Sequence, residues 1–491
     1  MGVQTPSRSH REQSQHWKVI DDLLGGTQQM RGSRELYLPR QKFETKEDYD
    51  NRINSATLYP AYRETLGSMR GRVFASSPIF HDVPKWVADE VFKDVDRNGQ
   101  SMNIFLPQWF ETALAYGHAG VLVDSPEFDS APTLAATREK KLHPYYVLVK
   151  PTQILDARVV DGALLQLRLA VVEQAEDPKD VWNTRDVRTV RVYTKTAEGV
   201  TVEIFEEKTT ADSQVEYVSR GVKALGKLLE IPFVCFYTGF VAQFHSVPPY
   251  ADLAYLNVKH WATQSSYDAI VILAMIPILT LIGADPSTNL LIGSKSAVKI
   301  QNPDGDLKYT EHSGAAMKTG REALDKLKEE MRESGAKLLL PQLTSANKTA
   351  TQASEEAQRE NSPLSTMVVD FANAFRELVR VTCLWRAGES LPEKCRLELR
   401  PNLKPDFAPT DTAQVLINAA DRSYLSLETL FYELQRRSII QDTSTWEEEK
   451  KRIEADPPGY LMRSLEVKES TGNKQNEPGQ DANPLPQDQN Q

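Results

Sequence analysis

Apolar and polar residues alternate with a period of two through residues 144–240, whereas three-to-four spacing dominates before and after them. YYVLVK, ALLQLRLAVVEQ, RTVRVYT, GVTVEIFEE, SQVEYVS and IPFVCFY read as strands, with turns at Asp161-Gly162 and Glu198-Gly199. An antiparallel sheet region is predicted there. Upstream, Thr45 to Ser76 is helical in pattern. Thr45 can cap it, Glu47 and Asp48 suit its first turn, and Pro60 breaks or kinks it. Two further helices are predicted over Pro84–Val95 and Ser101–Gly117, and GVLVD is then a short strand.

The period changes again near residue 248. Pro248 and Pro249 stand where a helix can start, Ser246 can cap it, and YADLAYLNVKHWATQSSYDAIVILAM continues it until Pro277. Residues 276–312 hold short strand-like pieces and the turn Asn302-Pro-Asp-Gly305. A second long helix is predicted from Ala315 to Ser334, stopped by Gly335. Its residues Met317, Gly320, Leu324, Leu327 and Met331 form a stripe suited to packing along a neighbouring helix. Polar residues 342–351 follow, then a helix over Gln352–Arg386 with a kink at Pro363. Residues 396–407 read as strand and turn. Helices over 411–422 and 427–437, with caps at Thr410 and Ser426, come next, and TWEEEKKRIEAD is a third candidate. The polar first 36 or so residues read as a mobile arm or a loosely docked segment, and the tail from about 461 reads as disordered.

Composition narrows the class. The chain has 491 residues, 26% charged and 40% apolar, which fits a folded protein of about two to four structural units. A net charge of −10 argues against tight gripping of nucleic acid over the whole surface, because phosphate binding needs local Lys and Arg. The three cysteines form no metal-type spacing, and structural disulfides are not expected. The N-terminus has no apolar signal core, and the run Ala269–Leu279 is too short to span a bilayer, which needs about 20 apolar residues.

Catalytic signatures are weak. Gly221-Val-Lys-Ala-Leu-Gly226-Lys227 has phosphate-loop spacing, but Leu228 replaces the hydroxyl residue that would hold magnesium, and strand-like sequence follows. His260 has no second ligand nearby, so a satisfied or pore-facing imidazole is expected rather than a metal ligand. Asp325 with Lys328 and Glu329 with Arg332 read as ion pairs on a solvated helix face. Lys295, Lys299 and Lys308 scatter through the insert between the long helices. They serve either solubility or contact with phosphate or a partner at its tip. No cofactor and no enzymatic activity are expected.

The order of these elements resembles the portal proteins of tailed bacteriophages, in particular a branch long described only as a domain of unknown function. The similar stretches are YLPRQKFETKEDYDNRINSATLYPAYRETLGSMRGRVFASSP (37–78), FETALAYGHAGVLVD (110–124), IPFVCFYTG (231–239), PPYADLAYLNVKHWATQSSYD (248–268), PILTLIG (277–283), GAKLLLP (335–341), KTATQASEEAQRENSPL (348–364) and DRSYLSLETLFYELQRRSII (421–440). The resemblance implies an α+β fold in defined parts. These are an arm (1–36), a wing (37–247), a stem helix (248–275), a clip (276–313), a second stem helix (314–336), a tunnel loop with a long bent helix (337–408), a helical crown (409–460) and a tail (461–491). It implies a ring, usually of twelve copies, at a capsid vertex of a virion assembled in the host cytoplasm. Double-stranded DNA would pass through it without sequence reading. Implied partners are the terminase large subunit at the clip, scaffold and major capsid protein at the wing, and head-completion adaptor proteins, with no membrane. Asn347, Lys348 and Thr349 are then candidates for a tunnel loop facing DNA, with Lys259 and His260 on the channel wall and Lys295, Lys299 and Lys308 at the clip. The alternatives are another head-tail adaptor or minor capsid protein, and an enzyme using the Gly221–Lys227 loop.

Overall fold

The computed structural model describes residues 2–42, 44–126, 143–177, 180–209, 214–225, 228–275, 278–282, 306–310, 315–339, 362–386, 388–403, 416–418, 420–422, 424–436, 440 and 445–455. The chain is α+β and divides into two units, Met1–Leu403 and Lys404–Gln491.

The first unit begins with a helix where a mobile arm was expected. Helix α1 (Arg8–Gly32) is capped by Ser7, whose side chain accepts from the His10 amide, and it buries Trp17, Ile20, Leu23 and Met30. The few large apolar residues lie three to seven apart on one face. A polar composition therefore conceals a docked helix, and tertiary burial outweighs it. The Thr45–Ser76 run is two helices, α2 (Lys46–Ser55) and α3 (Ala61–Val73), separated at Pro60. Thr45 does cap α2, accepting from the Asp48 amide at 3.1 Å. Of the predicted Pro84–Val95 helix, only one π-helical turn at Val87–Val91 is regular. Strand β1 (Ile79–His81) precedes it, and helix α4 (Met102–Tyr116) follows. Gly117 ends α4 at φ 91°, a conformation that favours glycine.

The β-rich region is two sheets rather than one. In the first, β2 (His118–Asp124) lies between β3 (Tyr145–Val149) and β9 (Phe233–Tyr237), all antiparallel. The second is a five-stranded meander in which each strand pairs with the next. Its strands are β4 (Ile154–Val160), β5 (Ala163–Asp177), β6 (Asp180–Lys195), β7 (Val200–Thr209) and β8 (Val215–Ala224). The Asp161-Gly162 turn joins β4 to β5 with φ values of 50° and 78°, as a tight hairpin requires. A small hairpin, β10 (Phe240–Ala242) with β11 (His245–Ser246), leads to the first long helix, α5 (Ala251–Ala274). Ser246 does not cap that helix. Its hydroxyl lies 2.6 Å from His118 Nδ1 instead.

Beyond α5, strands β12 (Ile278–Ile282) and β13 (Asp306–Thr310) pair antiparallel, and helix α6 (Ala315–Ala336) follows. Gly335, expected as the stop, is the second-last helical residue. Helix α7 (Pro363–Cys383) starts at Pro363 with Ser362 as cap, so this proline opens a helix rather than kinking one. Residues 352–361 of the expected helix, and the 302–305 turn, lie outside the described residues. Strand β14 (Arg396–Glu398) returns to pair with β1.

The main core lies where α7 and α4 cover the three-stranded sheet. Leu364, Met367, Phe371, Phe375, Leu378 and Thr382 fall at helical spacing on the buried face of α7. Phe371 meets Trp109, Phe110 and Phe236 at ring-centroid distances of 5.1, 5.4 and 5.0 Å. In the second unit, α8 (Leu427–Arg436) is capped by Ser426 and α9 (Trp446–Ala455) by Thr445. The buried Phe431 packs on Trp446 at 5.6 Å. The tail expected to be disordered lies outside the described residues.

Candidate functional site: the paired long helices and their distal hairpin

Helices α5 and α6 lie side by side and run in opposite directions. At one end the Tyr250 hydroxyl donates to the Gly335 carbonyl at 3.0 Å, and at the other Gly320 sits against the Tyr267 ring. The β12–β13 hairpin joins them at that far end. At 1.5 Å per residue, α5 is about 36 Å long.

The near end is locked into the core. Asn257, fully buried, accepts from the Tyr62 amide at 3.0 Å and donates to the Tyr59 carbonyl at 2.9 Å. One side chain of α5 thereby satisfies a first-turn donor of α3. Trp261 and Leu253 are fully buried. Arg52 on α2 holds Glu44 through two bonds of 2.6 and 2.8 Å and reaches Ser265 at 3.5 Å. Glu44 is held below the usual carboxylate range chiefly by its bond to Arg52.

The far half of α5 is different: Ile270, Ile272 and Met275 are exposed. On α6, Leu324, Leu327 and Met331 are buried, and Met317 and Gly320 are half-buried on the same stripe. The opposite face of α6 exposes Lys318, Arg321, Lys326 and Arg332 together with Glu322, Asp325, Glu329 and Glu333, so the two signs balance. Glu329 pairs with Arg332 at 3.1 Å. The expected Asp325–Lys328 pair is not formed; the Lys328 ammonium lies 5.8 Å from the centre of the Tyr59 ring instead.

Lys259 is exposed on α5, whereas His260 is buried within the folded chain. It is 2% exposed, packs on Tyr59 at 5.3 Å, and neither ring nitrogen has a partner among the described residues. Burial, and secondarily Lys328, pushes its pKa down. Lys308 is exposed on β13 opposite Thr280. Lys295, Lys299, Asn347, Lys348 and Thr349 lie outside the described residues. The anchors Asn257, Arg52 and Glu44 have no sequence signature, because their partners are 8 to 213 residues away.

Other chemistry is sparse. Gly221 belongs to β8 at φ 109°, where two residues of β8 face one of β7 and the register shifts. This bulge accounts for the glycine. The described residues after it are turn and strand, not the helix that a phosphate loop opens, and Gly226 and Lys227 are not among them. Among the described residues no group of three or more His, Cys, Asp or Glu is placed to hold a metal, and no helix is long and apolar enough to cross a membrane. The three cysteines are free, and burial pushes the Cys235 thiol up to about 12.

A sequence family described as "Domain of unknown function (DUF4055)" matches residues 249–386, which run from the start of α5 to just past α7. Among curated proteins there is no match. Among solved structures the chain is similar to a protein of "Neck of empty GTA particle computed with C6 symmetry", with 13% identity and a TM-score of 0.39, covering 75% of this chain and 88% of that one. It is also similar to one of "Virion of native gene transfer agent (GTA) particle", with 12% identity and a TM-score of 0.39, covering 82% of this chain and 97% of that one.

Proposed function

We propose that this chain is a non-enzymatic portal subunit of a tailed-phage particle, forming a ring whose channel passes double-stranded DNA during packaging and ejection. One observation carries the reading: two long antiparallel helices, locked into the core at one end, project toward a hairpin at the other. Copies set side by side in a closed head-to-tail ring would make a tube from such pairs. The exposed apolar residues Ile270, Ile272 and Met275 then become contacts between copies.

The charge balance of α6 suits sliding. Phosphate contacts from Lys and Arg release counterions and add up, so a uniformly basic wall would hold DNA. Equal numbers of exposed acids and bases give no such hold. Terminase at the hairpin, capsid and scaffold proteins at the sheets, and head-completion adaptors are the partners this reading requires.

Negative-stain microscopy and mass measurement of the purified full chain test it. Closed rings with an opening wide enough for a duplex are expected, in the presence of scaffold if the free chain is monomeric. Solid assemblies, or rings closed by the second unit with α5 and α6 on the outer rim, would refute the channel role and favour a head-tail adaptor.

A further inference from the structure

Half of the eight histidines in the chain gather where the N-terminal half of α1 meets its unit. His10 Nδ1 lies 2.8 Å from the Ile154 carbonyl on β4. His245 Nδ1 on β11 lies 3.0 Å from Ser9 Oγ, and His118 Nδ1 on β2 lies 2.6 Å from Ser246 Oγ. His16 Nδ1 lies 3.1 Å from the Tyr255 hydroxyl on α5. Trp17 bridges the seam, edge-on to His10 at 5.2 Å and to His118 at 6.2 Å. Gln13 completes it, donating to the Phe244 carbonyl and accepting from the Ser246 amide, both at 3.0 Å.

We propose that α1 is an acid-released latch: protons taken up by His10 and His118 undock its N-terminal half from β2 and the β10–β11 hairpin while the rest of the unit stays folded. This inference is independent of the portal reading.

The chemistry of the seam supports it. The partners of His10 and His118 are a carbonyl and a hydroxyl, so a proton that arrives finds no bonded counter-charge. The charged groups around the seam are held by other partners, apart from the exposed Arg11 of α1 and Lys259 of α5; Asp252 of α5 lies 4.0 Å from Lys337. Within α1, Arg8 pairs with Glu12, Lys18 with Asp22, and Asp21 accepts from Tyr116 of α4. From the sheets, Arg168 holds Asp156 and the carbonyls of Val3 and Thr5, and Tyr237 stacks on His118. Lys150 lies over the Tyr116 ring, and Arg63 of α3 donates to the Leu24 carbonyl. Arg11, exposed on α1, adds a further positive charge.

The sign follows from the direction of the shifts. Burial, with His245 nearby, pushes His118 down to about 3. Burial also lowers His10, partly offset by the Ile154 carbonyl. A base depressed in the docked state binds more protons once released. Docking is therefore fully favoured above the free imidazole value, about 6.5, and weakens as pH falls below it. If release restores the ordinary value, His118 alone shifts the equilibrium on the order of 30-fold at pH 5. Release uncovers the buried Trp17 and Ile20 face of α1.

Hydrogen exchange of the full chain at pH 7.5 and pH 5.0, corrected for the intrinsic pH effect, tests the latch. Protection in residues 8–20 should fall about 30-fold or more at pH 5, with residues 363–383 unchanged. His118→Asn and His10→Gln should each reduce that response. Should His118→Asn lose protection in 363–383 already at pH 7.5, His10→Gln alone decides. Equal protection of 8–20 at both pH values, parallel loss in 363–383, or a full response in the decisive variant would overturn the proposal.

Discussion

Gly320 is the most discriminating position for the paired helices. A Cβ built there would lie 2.8 Å from Cδ2 of Tyr267 on α5, closer than side-chain carbons come. Two effects of Gly320→Ala then oppose each other. Alanine within a helix is favoured over glycine by about 1 kcal/mol. Overpacking a tight contact costs about 1–3 kcal/mol. The clash involves a ring-edge carbon rather than a flexible chain end, so the cost wins, and a net loss of up to about 2 kcal/mol is expected. Tyr267→Ala removes the obstacle, and in that background the same Gly320→Ala change should stabilise by about 1 kcal/mol. The sign reversal is the signature, and the pair should couple by about 1–3 kcal/mol in a double-mutant cycle. A chain with two units need not unfold in one step, so the readout is native-state hydrogen exchange of α6 amides rather than one global midpoint. Greater α6 protection in Gly320→Ala alone would refute close contact between the two helices at this point.

Glu44→Gln leaves the nearly buried Arg52 guanidinium without its counter-charge, and a loss of about 3 kcal/mol is expected, seen as faster exchange in α2 and the near end of α5. An unchanged exchange pattern there would show that the pair does not anchor α5. Phe371→Ala should cost about 3–5 kcal/mol by emptying the ring cluster between α7 and the three-stranded sheet, measured as lost hydrogen-exchange protection in residues 363–383.

What the sequence discloses divides along physical lines. Period-two alternation, the Asp161-Gly162 turn and the caps at Thr45 and Ser426 are local signals, and the structure carries them out as sheet, hairpin and helix starts. The stripe from Leu324 to Met331 is equally local, since one helix face displays it. Three readings turned on contacts that a local pattern does not contain. Residues 8–32 look like an arm because most of the helix is polar; burial of Trp17, Ile20, Leu23 and Met30 and bonds to β4 and β11 decide otherwise. Ser246 stands in the right place for a cap, but His118, 128 residues away, takes its hydroxyl. His260 sits on the polar half of α5, yet the loop before α3 covers it with Tyr59.

The same division explains α5 itself. Its near half carries the buried Asn257 and His260, with buried Ser265 just past the middle, whereas its far end carries the exposed Ile270 and Ile272 and runs out at the exposed Met275. In a chain that functioned alone this order would be reversed, because burying amide and imidazole groups costs free energy and exposing large aliphatic groups forfeits it. The near half tolerates its polar groups largely because specific partners receive them; the amide of Asn257 makes two bonds. At the far end α6 covers the side that carries Tyr267, and Ile270, Ile272 and Met275 stay exposed. Covering three such side chains is worth roughly 1.5–3 kcal/mol each when burial is complete. That is a useful driving force only if a surface outside the folded unit supplies the cover, which is the physical reason to look for that surface on a second copy of the chain.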